Sequence, residues 1–148
     1  MRVLDIGCGA GDVSFLAADF VGPTGSVIGV DRSPDAVAVA ASRATAAGLR
    51  NVRFQSAELD EMMLDTPADA LVGRLVLMYS PAPVRTLRQL LTQVRSGGIV
   101  ALHEFDMDSA RTSPPVPLVD TAIGRIRDAL GSVRRKRPDG PPARARAR

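Results

Sequence analysis

The stretch Val3-Leu4-Asp5-Ile6-Gly7-Cys8-Gly9-Ala10-Gly11-Asp12 sets three alternating glycines between two acids. Gly7 allows a tight turn, Gly9 lets a ligand approach the backbone without meeting a Cβ, and Gly11 permits close packing as a helix begins. Asp31 stands 20 residues beyond Gly11, at the end of the next apolar run. A carboxylate so placed suits the two hydroxyls of a ribose. A nicotinamide-dinucleotide fingerprint, G-x-G-x-x-G/A, would need a small residue where Asp12 stands. Asp5 and Asp12 would also repel a diphosphate and attract a cation. The loop therefore points to a positively charged nucleoside, with a nicotinamide oxidoreductase as the more distant alternative.

Other reactive side chains are scattered. His103 is the only histidine and stands with Glu104 at the end of a late apolar run, where either can take a proton or serve structure alone. Glu104, Asp106 and Asp108 have the types of metal ligands but read as a strand end with solvated acids, and no metal is expected. Tyr79 either lines a pocket or caps a strand. Cys8 lies inside the glycine loop, where a nucleophilic role would collide with a ligand; its value there is small size. As the only cysteine it excludes an internal disulfide and a cysteine-rich zinc cage.

Positioning these residues requires a core, and 148 residues with 45% hydrophobic and 24% charged side chains suffice for one. The expected strands are Arg2–Ile6, Ser26–Val30, Val52–Gln55, Ala70–Met78 (interrupted at Gly73-Arg74, its exit) and Ile99–Phe105. Helical spacing covers Asp12–Phe20, Ala36–Ala47 (capped by Ser33-Pro34), Pro83–Arg95 and Leu118–Leu130. Alternating strands and helices imply an α/β fold: a Rossmann-like open, mostly parallel sheet of about five strands with helices on both faces. Continuous apolar strands fit burial on both sides.

Charge is divided unevenly. Residues 125–148 hold nine basic and two acidic groups, a net of +7; the remaining ten basic and 14 acidic groups leave −4 on residues 1–124. The segment 132–148, rich in Arg, Pro and Ala and without aromatic residues for base stacking, reads as a disordered tail, and nucleic-acid binding is not expected of it. No apolar run reaches the ~18–20 residues that cross a bilayer, and the N-terminus lacks a signal-peptide pattern, so a cytoplasmic protein is expected.

Val3–Gly11 resembles the first motif of class I S-adenosylmethionine-dependent methyltransferases: two hydrophobic residues, Asp, a hydrophobic residue, then G-x-G-x-G. Val27–Ser33 resembles that family's second strand and ribose-binding acid, Asn51–Met62 its adenine-contacting stretch, and Ala70–Met78 its fourth strand. Val94-Arg95-Ser96-Gly97-Gly98 is similar to its L-R-P-G-G turn. The match spans residues 2–106 and is closest in style to small-molecule enzymes of the ubiquinone/menaquinone-biosynthesis type.

The resemblance implies S-adenosyl-L-methionine as cofactor and a small-molecule methyl acceptor attacked in line. Carried over, Asp5 orients the loop near the cofactor's amino group, and Gly7, Cys8, Gly9 and Gly11 form the loop around its methionine and ribose. Asp31 binds the ribose, Arg32 lies beside the adenine, and Glu58 with Leu59 takes the adenine-contacting place. Gly73 and Arg74 contact the methionine end, where Arg74 departs from the usual small or neutral residue. It holds the cofactor carboxylate, holds an acidic acceptor, or is a solvated exit residue. No catalytic residue is assigned beyond the candidate His103. The expected domain is 1–131, without the family's N-terminal helices and last two strands, which leaves a sheet edge for an oligomer or a missing partner segment. An inactive, cofactor-binding remnant is the alternative function.

Overall fold

The computed structural model describes residues 1–107 and 109–135. Five strands, β1 (Arg2–Ile6), β2 (Ser26–Asp31), β3 (Val52–Ser56), β4 (Ala68–Arg74) and β5 (Val94–His103), form one sheet in the order β3-β2-β1-β4-β5. Every pairing is parallel. The helices are α1 (Asp12–Val21), α2 (Pro34–Ala46), α3 (Pro83–Leu91) and α4 (Pro117–Arg135).

The period of two along β1 sorts the core. Leu4 and Ile6 face a cluster with Val30, Met62, Ala68, Leu71 and Leu90 of α3. Val3 faces the opposite one with Val27, Val52, Ala70 and Ala18 of α1. Parallel strands need right-handed crossovers. Stepping from β1 to β2 to β3 therefore sets α1 and α2 on one face, while β4 to β5 sets α3 on the other. The direction reverses between β1 and β4, and the crevice beyond the carboxyl ends of such a neighbouring pair is where open α/β sheets take ligands.

Three boundaries differ from the sequence expectation. First, β4 ends at Arg74, within the expected exit, but the apolar run beyond it is not strand. Gly73 pairs with Ile6 and Leu102 inside the sheet, and a Cβ there would fall 2.7 Å from the Ile6 side chain, so this glycine serves packing. The exit comes at Leu75, whose φ of 55° is left-handed, followed by a 3-10 turn at Leu77–Tyr79 rather than more strand. Second, α3 stops at Leu91 rather than Arg95. The buried Gln93 accepts the Leu64 N–H at 2.8 Å through Oε1, and its carbonyl accepts the Ala68 N–H at 2.7 Å, which draws the chain out into β5. The Arg95–Gly98 turn is a bulge in β5, since Val94 pairs with Ala68 and Ile99 already with Ala70. Third, burial on both faces holds for β4 but not for β5, where Ile99 and Val100 are exposed. Among the described residues no strand pairs with the outer edge of β5.

Helix α4 continues through Arg135, four residues into the segment expected as tail; residues 136–148 and Asp108 lie outside the described residues.

Candidate active site

β1 ends at Ile6, and Gly7, with φ 63°, turns the chain at the switch point. A Cβ on Gly7 would overlap the Val76 side chain, so the exits of β1 and β4 touch here and only glycine fits. Gly9 has φ 52° and nothing within 4 Å of where its Cβ would stand, leaving its backbone open. Gly11 is different: a Cβ would meet the Phe15 ring at 2.9 Å and the Phe54 ring at 3.0 Å, so its role is packing. Those rings meet edge to face at 5.9 Å.

Asp31 closes on this loop from β2. Its Oδ2 accepts the Gly9 N–H and its Oδ1 the Ser33 N–H, both at 2.9 Å. The same carboxylate thus ties the glycine bend to the start of α2, where the Ser33 hydroxyl accepts the Ala36 N–H. Each carboxylate oxygen has a second lone pair, so hydroxyl donors still have acceptors there.

A cleft of about 730 Å³ opens beyond the β1 and β4 ends. One end is lined by Gly7, Asp31, Arg32, Glu58, Leu59, Asp60 and Glu61; the other by Leu75, Val76, Tyr79, Ser80, Arg85 and Thr86. Of the residues expected at the site, Gly7, Asp31, Arg32, Glu58 and Leu59 therefore share one cavity. Asp5, Cys8, Gly9 and Gly11 support the loop without lining it, and Gly73 and Arg74, still inside β4, are not in its wall, which begins on this side at Leu75. His103 is exposed at the end of β5 opposite Arg74, and its side chain does not line the cleft either.

The charge of the site is also distributed differently from the expectation that Asp5 and Asp12 draw the cation. Asp12 is paired with Arg43 at 2.8 Å. Asp5 is buried and accepts the Ser14 hydroxyl at 2.6 Å; burial pushes its pKa up to about 6, against the lowering by that hydrogen bond. Burial beside Asp5 and Asp31 likewise pushes the Cys8 thiol up to about 12, which removes it as a nucleophile. The negative field comes instead from Asp31, Glu58, Asp60 and Glu61, against Arg32 and Arg85.

Two positioning groups escape a linear reading. Arg43 of α2 donates from Nη1 to the Ala10 carbonyl at 2.6 Å and to Asp12, and its guanidinium lies 4.9 Å from the Phe15 ring centroid. It clasps the glycine loop from a helix 31 residues downstream of Asp12. Glu104 is the second: its carboxylate accepts backbone N–H groups of Val76, Leu77 and Met78. That occupation corrects its reading as a solvated or proton-accepting acid. Nothing local in Glu-Phe-Asp signals either contact.

Comparison with known proteins agrees with this geometry. A family model described as a methyltransferase domain matches residues 1–127. The aklanonic acid methyltransferase DauC of Streptomyces sp. (strain C5) is 36% identical over 132 residues, covering 82% of this chain and 58% of that protein. The arsenite methyltransferase of Halobacterium salinarum is 34% identical over 113 residues, covering 76% of this chain and 28% of that one. The chain thus spans less than two thirds of the length of these curated relatives. Among solved structures, a SAM-dependent methyltransferase from Aquifex aeolicus shares the fold with TM-score 0.66 at 23% identity, covering 88% of this chain and 71% of that one. The [4+2]-cyclase SpnF aligns with TM-score 0.64 at 30% identity, covering 70% and 38%. A shared fold leaves the reaction to the site. Five parallel strands, a glycine bend at the switch point and a family match over most of the chain lead to one assignment: the chain belongs to the methyltransferase-domain family.

Proposed function

We propose that this domain binds S-adenosyl-L-methionine and moves its methyl group to a small-molecule acceptor. The observation that carries the reading is the Asp31 carboxylate on the Gly9 N–H, in a cleft where four acids outnumber two arginines. A sulfonium nucleoside has no phosphate to be repelled there, and the family match and a relative crystallised with SAH support the same cofactor. The cofactor, when bound, supplies an activated methyl group with its own leaving group.

The residues then act by binding and alignment. Asp31 takes the ribose hydroxyls with its remaining lone pairs, and Glu58 and Leu59 flank the base beside Arg32. Gly7, the loop residue in the cleft wall, brings the backbone to the ligand. Leu75, Val76 and Tyr79 form the wall against which an acceptor lies in line. No proton-transferring side chain is assigned. Trans-aconitate and aklanonic acid methyltransferases are among the relatives, and their names support a small-molecule acceptor here. No helix among the described residues is long and apolar enough to cross a membrane; a cytoplasmic site of action, and a partner segment or second copy along the β5 edge, belong to the same proposal.

Titration calorimetry of the chain with S-adenosylhomocysteine and, separately, NAD tests the reading. Saturable binding of the first and none of the second is expected; the reverse would overturn it.

A further inference from the structure

The wall that faces the glycine loop is a short segment in an unfavourable conformation. Leu75 is a branched, non-glycine residue at φ 55°, and Leu75, Val76 and Tyr79 all line the cleft. Four consecutive backbone N–H groups in this segment point the same way, toward the end of β5. The Leu75 N–H donates to the His103 carbonyl at 2.8 Å. Val76 and Leu77 donate to Glu104 Oε1 at 3.1 and 2.8 Å, and Met78 donates to Oε2 at 3.2 Å. Successive N–H groups converging in this way make an anion-binding concavity. Here the anion is built in, since the carboxylate of Glu104, the residue that follows β5, fills it.

We infer that Glu104 is a positioning residue for the methyl-transfer cleft: its carboxylate holds the Leu75–Tyr79 wall in the shape that admits cofactor and acceptor. The carboxylate makes these bonds charge-assisted, and both of its oxygens are used. Glutamine keeps the length but offers only one acceptor oxygen, so it cannot serve both the Val76–Leu77 pair and Met78. Alanine leaves all three N–H groups without the carboxylate. The wall can then relax away from left-handed Leu75, and Tyr79 moves with it. The consequence for cofactor affinity rests on the function proposed above; the ordering of the wall does not.

Tyr79 reports on this directly, because the chain has one tyrosine and no tryptophan. The full chain, Glu104→Gln and Glu104→Ala are compared at 10 °C, where far-UV circular dichroism first establishes that each is folded. Acrylamide quenching of tyrosine emission and calorimetry with S-adenosylhomocysteine follow. Quenching is expected to rise from parent to Gln to Ala. The dissociation constant is expected to rise roughly threefold to tenfold for Gln and more than tenfold for Ala. Should Glu104→Ala not fold, the Gln variant alone decides. Parental quenching together with parental affinity in the folded variants would overturn the inference, even if their melting temperatures fell. A parent that binds no S-adenosylhomocysteine would count against the proposed function, while the quenching comparison would still decide the role of Glu104.

Discussion

Asp31 bridges two backbone N–H groups, on Gly9 and Ser33, and this double attachment makes it the most exposed point of failure in the site. Asp31→Ala removes the carboxylate oxygens that the proposed function assigns to the ribose hydroxyls and loosens the loop together. Charge-assisted hydrogen bonds contribute ~1.5–3 kcal/mol each, so a loss in S-adenosylhomocysteine affinity of about 100-fold or more is expected by calorimetry. Asp5 makes a prediction of opposite character. Its pKa is raised from 3.8 to about 6 by burial, so the folded chain prefers the protonated form. That contribution to stability is complete below pH 4 and is lost as pH rises through 6. Asp5→Asn keeps an acceptor for the Ser14 hydroxyl and no longer titrates. Its stability relative to the parent is expected to improve by about 2 kcal/mol between pH 4 and pH 8, as measured by urea unfolding. Asp31 and Gly7 were legible in the sequence because spacing from a strand end places them. Arg43 and Glu104 were not, because their partners lie 26 or more residues away and depend on which strands become neighbours.

Element boundaries explain where the wall of the cleft stands. The apolar run Ala70–Met78 reads as a strand with its exit at Gly73-Arg74; β4 ends at Arg74, and the chain turns at Leu75, whose N–H donates to the His103 carbonyl at the end of β5. The polar Arg74 marks that limit in the sequence; the 3-10 turn that follows at Leu77–Tyr79 has no such mark. On the other side of the cleft, α2 reaches the glycine loop through Arg43. An exposed ion pair contributes little to stability, on the order of 0–1 kcal/mol, so Arg43→Ala is expected to lower the melting temperature only slightly. Its effect on the site is larger, because the Ala10 carbonyl and Asp12 are released together with the stack on Phe15. A severalfold loss in S-adenosylhomocysteine affinity is expected, with faster amide exchange at residues 9–11. Lysine, lacking the planar fork, is not expected to restore either. Unchanged affinity in Arg43→Ala would remove the clasp from the account of the site.

For the molecule as a whole, the cleft couples ligand to fold through both exits of the switch point. A ligand held at 100 times its dissociation constant stabilises the folded state by about 2.7 kcal/mol, a rise in melting temperature of roughly 5–10 °C for a domain of this size. Thermal denaturation with S-adenosylhomocysteine checks this, and NAD at the same concentration is expected to leave the curve in place. Removing residues 136–148 is expected to change neither value. Alternating strands and helices and the order of the glycine bend and Asp31 were determined by the sequence alone, because they are properties of local spacing and periodicity. The tertiary structure decided the rest: that Asp5 is buried and Asp12 neutralised, that the cleft draws its charge from Asp31, Glu58, Asp60 and Glu61, and that Gly73 serves packing. Burial and charge at a point depend on groups brought there by strand pairing, and a linear chain does not carry those distances.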